Sequence, residues 1–271
     1  PGFTNLMANA ELALDGSLGH VTEVLSGDYY QPLSTSSPQQ IWSAAMVISP
    51  LLRGLFGLQT DAGARRVTLA PHVPANWSGF TLDHVRVGQC ALRLAYQRSA
   101  NEISLVVTRN GSGDCSLEFS PALSLRAQIL GAEVNGRKVP FQVNKSDVDQ
   151  HVGVKFPVAS GETRLRLRIR DDFGLSISPV LPALGSASQG LRVLSESWAP
   201  ARDTLTLEVS GAQGRQYEIG VRNAAQVASV EGAELVKIDA DSARMNLTIP
   251  ASTSELNPHE KIVIHFISKA H

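Results

Sequence analysis

Residues 163–170 read TRLRLRIR, and this short run indicates how most of the chain folds. Leucine and isoleucine alternate with arginine, so in an extended strand all the apolar side chains lie on one face. This alternation is typical of an antiparallel sheet that is buried on one side and solvated on the other. The arginine row also has the composition of a polyanion-binding stripe, but we favour the solvated sheet face.

Runs of the same kind occur on both sides of this stretch. From Arg66 onward they include ISLVVTR (103–109) and HVGVKFPV (151–158), and a second series runs from 191 to 267. AQILGAEV (127–134) resembles ASVEGAEL (228–235) at an offset of 101 residues. A repeat of this length indicates duplicated sandwich domains rather than a solenoid, whose repeats are shorter. Duplication and chance similarity are both left open.

We therefore predict a mainly β protein with two β-sandwich-like domains, at 66–171 and 191–271. The stretch DFGLSISPVLPALGSASQG (172–190) is rich in proline, glycine and serine and is the predicted linker. Residues 1–65 have a different character and are predicted to form a short helical hairpin with a long loop.

The predicted hairpin consists of helices at 3–14 and 38–57. Ser37 is a good N-cap for the second helix, Pro38 suits its first turn, and Pro50 should kink it. Its side chains are apolar on nearly every face, and such a helix needs partners on all sides. We predict a buried core helix that packs with 3–14 against the first sandwich, or else against a second copy of the chain.

Composition excludes several functional classes. The chain has 24 basic and 25 acidic residues, a formal net charge of −1, and thus no signature of a nucleic-acid or membrane partner.

Cys90 and Cys115 are too few for a disulfide framework or a zinc site. We expect buried free thiols, with a single bridge as the alternative in an exported protein. No phosphate-binding or metal-binding motif is present, so we expect no cofactor and no metal. The compartment is left open.

The loop TEVLSGDYYQP (22–32) has the residue types of a sugar-processing site. Aromatic faces stack on sugar rings, amides bond hydroxyl groups, and a carboxylate activates water. The alternative is an acidic surface loop that is only solvated. The candidate residues are Glu23, Asp28, Tyr29, Tyr30, Gln40 and Trp42.

The order of a Glu, then Ser-Gly-Asp, then PQQIWSAA (38–45) opening an apolar helix resembles one region of bacterial glycogen-debranching-type enzymes. That region is the last hairpin of the (α/α)6 barrel in the amylo-α-1,6-glucosidase superfamily. There the pattern runs roughly E-x-x-x-G-D, a short polar loop, then Q-x-W-S. The matching positions here are Glu23, Gly27, Asp28, Gln40, Trp42 and Ser43. The family's Gly-Cys before the final helix is absent, with Ser36-Ser37-Pro38 in its place.

The following stretch, residues 48–77, resembles the passage from the last barrel helix to the C-terminal sandwich in related hydrolases. The likeness implies a segment of a glycoside hydrolase that acts on α-glucan-like or related oligosaccharides. Glu23 would be the general base, and the other candidates would line the sugar site. The general acid would lie outside this chain, so the expected partners are the saccharide and the remaining barrel portion. The competing hypothesis is a non-catalytic pair of β-sandwich modules that gives structural support or binds carbohydrate.

Overall fold

The computed structural model describes residues 2–14, 18–251 and 257–268. Its first β unit is a sandwich of two six-stranded sheets that share one hydrophobic core. One sheet has the order β1-β2-β6-β11-β10 with β7 beside β11, and the other has the order β3-β4-β5-β12-β8-β9. The strands are β1 (Leu58–Asp61), β2 (Arg66–Leu69), β3 (Gly79–Val87), β4 (Cys90–Arg98), β5 (Glu102–Asn110), β6 (Ser116–Phe119), β7 (Ala122–Ser124), β8 (Gln128–Val134), β9 (Arg137–Val139), β10 (Gln142–Lys145), β11 (Asp149–Pro157) and β12 (Gly161–Arg170).

Strand β12 has the two-faced character that its sequence predicts. Its leucine and isoleucine side chains are fully buried, and its four arginines are exposed. Each arginine lies near an acidic side chain, and the closest pairs are Arg164 with Glu162 at 2.6 Å and Arg166 with Glu102 at 2.7 Å. Exposed pairs of this kind add little stability. They do balance the charge of the row, as expected for a solvated sheet face.

The second β unit is a smaller sandwich with its own core. Its sheets have the orders β13-β16-β19-β18 and β14-β15-β20-β17. A 3-10 turn, Ala224–Gln226, precedes β17. The strands are β13 (Gly174–Ser176), β14 (Arg192–Trp198), β15 (Thr204–Ser210), β16 (Gln216–Arg222), β17 (Val227–Glu231), β18 (Glu234–Lys237), β19 (Ser242–Thr248) and β20 (His259–Phe266). The mainly β fold class is thereby confirmed.

The two units share a strand order. The order β4-β5-β12-β8 in the first unit corresponds to β14-β15-β20-β17 in the second, and β6-β11-β10 corresponds to β16-β19-β18. Leu105 of β5 pairs with Leu165 of β12, and Leu207 of β15 pairs with Ile262 of β20. The resembling segments 127–134 and 228–235 begin in the equivalent strands β8 and β17, although the second continues into β18, and this supports duplication over chance.

The predicted linker begins inside the second unit. Phe173 is 4% exposed and belongs to the second core, and β13 pairs with β16. Residues 177–190 contain no helix or strand. The composition of this stretch did not reveal the short strand, because the neighbouring prolines and glycines dominate the pattern.

The hairpin at the N-terminal end contains α1 (Gly2–Glu11), a 3-10 turn (Leu12–Leu14), α2 (Ile41–Ser49) and a π-helical turn (Pro50–Leu55). The predicted start at 38 with Ser37 as N-cap is wrong. The helix begins at Ile41, and Oε1 of Gln40 accepts the Ile41 amide at 3.1 Å. The predicted irregularity does occur at Pro50, because proline has no amide hydrogen for the regular ladder.

The prediction of a buried core helix is wrong for the first half of this segment. Ile41 is 81% exposed, Met46 69% and Ile48 56%. Nothing in the described part of the chain covers this face. The sequence shows that this helix face is apolar. Whether other helices or strands cover it depends on the tertiary structure.

The second half of the segment does pack on the first sandwich as predicted. Leu55 and Phe56 are buried, and the Phe56 ring lies 4.5 Å from that of Phe80 in β3. Phe3 and Leu6 of α1 are partly buried against the same core. Gly57 then turns the chain into β1 with a φ of +57°, where a Cβ would lie 2.4 Å from the Ala70 carbonyl oxygen.

Both cysteines are buried and free, which confirms the expectation of free thiols. Burial, aided by the neighbouring Cys90 thiol, raises the pKa of Cys115 to about 12. In the described residues, no helix has the length and apolar character needed to cross a membrane.

Candidate functional site

The segment 20–40 is an irregular hairpin whose arms are joined by backbone hydrogen bonds. The Glu23 amide donates to the Ser37 carbonyl at 2.9 Å, and the Ser26 amide donates to the Gln31 carbonyl at 2.9 Å. Between them, Leu25 and Pro32 form a β-bridge. The hairpin therefore has a base beside the start of α2 and a tip at residues 27–30.

Glu23 lies at the base and is exposed. Its Oε2 accepts the Ser37 amide at 3.3 Å. The adjacent hydroxyl groups of Thr22 and Ser36 lie 2.7 Å apart, and Ser36 Oγ also accepts the Val24 amide. A short network thus fixes the arm that carries Glu23, while the carboxylate keeps capacity to accept a proton from water.

Gln40 and Trp42 lie at the same end of the hairpin. The Gln40 amide donates to the Val21 carbonyl at 3.1 Å, and its side chain caps α2. Gln40 therefore has the capping task that sequence assigned to Ser37. Trp42 follows in the first turn of the helix and is 57% exposed.

Asp28, Tyr29 and Tyr30 lie at the tip. The Asp28 and Tyr29 amides both donate to Ser26 Oγ at 3.2 Å. The Tyr30 amide donates to the Ser186 carbonyl at 2.9 Å, so the tip rests against the segment that links the β units. Within the described ranges, no hydrogen bond or salt bridge joins Glu23 to Asp28. The six predicted residues thus form a base group and a tip group.

The sequence did not indicate a second cluster of polar residues, which lies away from the hairpin. A cleft of about 400 Å³ lies between the two β units, with Phe3 of α1 at its edge. In its wall, Asp149 Oδ2 lies 3.7 Å from Nδ1 of His72 and is also 3.5 Å from Nε2 of His151. Glu196 of β14 lines the cleft as well. These residues come from distant parts of the chain and form no local motif.

Two groups in this cleft have shifted pKa values. Burial raises the pKa of Glu196, and the Asp149 charge raises it further, against the opposing effect of a 3.1 Å hydrogen bond from Trp198 Nε1. Burial lowers the pKa of His72, although Asp149 opposes the shift. Asp149 belongs to the first unit and Glu196 to the second, so carboxylates from both units line the cleft.

The floor of the interface is a buried ion cluster around Asp172, which is 1% exposed. Its carboxylate accepts the Ser124 amide at 3.0 Å and Arg222 Nη2 at 3.0 Å, and it pairs with Arg98. Arg98 belongs to the first unit and Arg222 to the second. Burial, together with the Arg98 charge, lowers the pKa of Arg222 to about 10. Asp172 lay in the predicted linker, where nothing marked it as buried.

In the described part of the chain, no three or more His, Cys, Asp or Glu side chains are grouped so that they could hold a metal ion. No protein-family model matches the chain. No curated protein matches it significantly either.

Proposed function

We propose that this chain is the C-terminal segment of a glycoside hydrolase of the glycogen-debranching type, acting on α-glucan-like or related oligosaccharides. One observation carries the proposal: α2 presents apolar side chains to solvent directly beside the Glu23 arm. An exposed apolar helix face indicates a missing partner surface. In the debranching-type enzymes that this segment resembles, the last helix packs within the barrel, and the loop before it carries the general base.

Glu23 is the proposed general base. In the assembled enzyme it takes a proton from the water that attacks the glycosidic carbon. A general acid on the opposite side of the bond comes from the barrel portion, because glycoside hydrolysis by inversion needs two carboxyl groups about 6.5–9.5 Å apart. Trp42 and Gln40 are the proposed sugar contacts at the hairpin base, and Asp28, Tyr29 and Tyr30 are those at the tip.

The proposed partner of the exposed helix face is the rest of that barrel. Ile41, Met46 and Ile48 would be covered by its neighbouring helices, while Leu55 and Phe56 remain on the sandwich. A second copy of the chain is the alternative partner. Burial of each such side chain contributes about 1.5–3 kcal/mol, enough to hold the hairpin in place.

The test uses the enzyme formed by this chain together with the barrel portion. We expect Glu23→Gln to lower kcat for an α-1,6-branched oligosaccharide by several orders of magnitude, since the amide cannot accept the proton of the attacking water. The matched control is Glu234→Gln, an exposed strand residue far along the chain. Near-normal turnover by the Glu23 variant would overturn the assignment.

The second candidate is a non-catalytic support for a helical domain. It is favoured by the buried polar contacts that hold the two β units together, in which Asp172 pairs with Arg98 of the first unit and Arg222 of the second. In that case Glu23→Gln leaves turnover unchanged, while Asp172→Asn, which loosens this contact, lowers the thermal stability of the whole enzyme. Measuring kcat and Tm for Glu23→Gln and Asp172→Asn separates the candidates.

A further inference from the structure

The cleft between the β units has the size and lining of a small-molecule site. Its volume of about 400 Å³ falls within the usual range of ligand pockets. Much of its lining is apolar, including Leu205, Leu207 and Ile219 of the second unit. A few polar side chains converge on the same space, which is the usual composition of a binding pocket.

The acceptors in this cleft have unused capacity. Glu196 accepts the Trp198 indole N–H and, among the described residues, takes part in no salt bridge. Oδ2 of Asp149 forms ion contacts with His72 and His151, and its Oδ1 accepts the Ser146 hydroxyl group at 2.6 Å. An ionised carboxylate can accept about four hydrogen bonds. Both groups therefore have lone pairs available for donors on a ligand.

Arg98 is a further polar residue of the wall, and its side chain is only 5% exposed. Its Nη2 is occupied by Asp172, and the buried hydroxyl group of Tyr96 interacts with the same guanidinium. Arg98 is thus committed to groups inside the wall and contributes its positive charge to the cleft.

The charges of the lining nearly cancel. Arg98 and Arg222, which share the buried Asp172, stand against Asp149 and Glu196, and burial lowers the pKa of His72, which favours its neutral form. Such a site has no strong preference for an anion or a cation. It suits a neutral ligand that has both hydroxyl donors and acceptors and also apolar surface.

We infer that this cleft binds a neutral saccharide of one or two rings. Hydroxyl groups donate to Asp149 and Glu196, while the C–H faces of the ring contact the aliphatic and aromatic lining. None of the described residues of the 20–40 hairpin lines the cleft. The site is therefore separate from Glu23, and the inference does not depend on the proposed hydrolase activity.

The experiment titrates glucose, maltose and isomaltose into the whole chain and follows binding by calorimetry and by ligand-observed NMR. We expect saturable binding of at least one of the three sugars. Glu196→Gln should weaken it about ten- to a hundredfold, because a hydrogen bond to a charged acceptor is lost. Val193→Trp, which fills the cleft without changing any charge, should abolish it. Asp147→Asn, an exposed residue on the turn before Asp149, is the control.

Absence of binding to the unmodified chain would overturn the inference, as would full affinity in both the Glu196 and Val193 variants. The Glu23→Gln chain should bind as the unmodified chain does. If that substitution weakens binding as strongly as Glu196→Gln, the sugar occupies the hairpin instead of the cleft. That outcome would overturn the cleft site while favouring the proposed hydrolase, so the two ideas fail separately.

Discussion

Arg126 of the first β unit donates from Nε to Oε1 of Gln226 in the second unit, at a distance of 2.8 Å. Its Nη2 donates to the Ile267 carbonyl at 3.2 Å, and its Cζ lies 4.4 Å from the centre of the Phe266 ring. The arginine is 5% exposed. One side chain therefore enters the second unit from the first, and its buried guanidinium finds hydrogen-bond acceptors there.

We expect Arg126→Ala to destabilise the chain by about 2–5 kcal/mol, because it removes several buried hydrogen bonds and a cation–π contact at once. The units should also unfold separately, so a calorimetric scan should change from one transition to two. Arg137→Ala, which removes an exposed arginine in the same unit, is the control. A single unshifted transition in the Arg126 variant would show that the contact does not couple the units.

Asp172→Asn tests the ion cluster on the same interface. The substitution leaves Arg98 and Arg222 buried without their shared counter-charge, and we expect a loss of about 3–5 kcal/mol in unfolding free energy. Urea denaturation at neutral pH measures it. Asp83→Asn breaks the exposed pair with Arg93 and should cost less than about 1 kcal/mol. Equal losses in the two variants would contradict the importance assigned to the buried cluster.

The exposed face of α2 makes a prediction about association. Met46→Glu combined with Ile48→Glu should reduce self-association in sedimentation velocity, since both side chains are exposed and apolar. The free energy of unfolding should change by less than about 0.5 kcal/mol. Phe56→Ala, in the packed half, should instead cost about 3–5 kcal/mol. A large loss of stability in the double variant would mean that this face is already covered.

The raised pKa of Cys115 predicts an unreactive thiol. Its shift from 9.0 to about 12 lowers the thiolate fraction at neutral pH about a thousandfold, and the thiolate is the reactive form. Iodoacetamide should therefore label Cys115 in urea but not in the folded chain, as read by mass spectrometry of its peptide. Labelling at equal rates in both states would contradict the burial of this thiol.

The same shift sets the sign of a pH effect. Between about pH 9 and about pH 12, the unfolded chain loses the Cys115 proton while the folded chain keeps it. Stability contributed by this group is thus present below pH 9 and is lost as the pH rises through that window. Cys115→Val should flatten the alkaline end of the stability profile, and an unchanged slope would contradict the shift.

The sequence by itself determined most of the longer strands and the class of fold. The alternation in 163–170 has a period of two, and that period needs no knowledge of distant residues to predict a strand with one buried face. It also indicated where the helical hairpin lies, and that Pro50 interrupts it. At the hairpin, sequence grouped all six candidate residues into one sugar site, whereas the structure places Glu23, Gln40 and Trp42 at its base and the other three at its tip.

Only the tertiary structure decided which apolar surfaces are covered and which polar groups meet. Phe56 and Ile48 are both apolar residues of one helical segment. Phe56 is buried because its ring packs against Phe80 of β3, whereas Ile48 is exposed. The local sequence pattern does not distinguish the two positions. Asp172 pairs with Arg98 and Arg222 across three parts of the chain, and Asp149 and Glu196 line the same cleft from different units. Such long-range juxtapositions have no period or spacing in the sequence, since they arise only when the two β units dock.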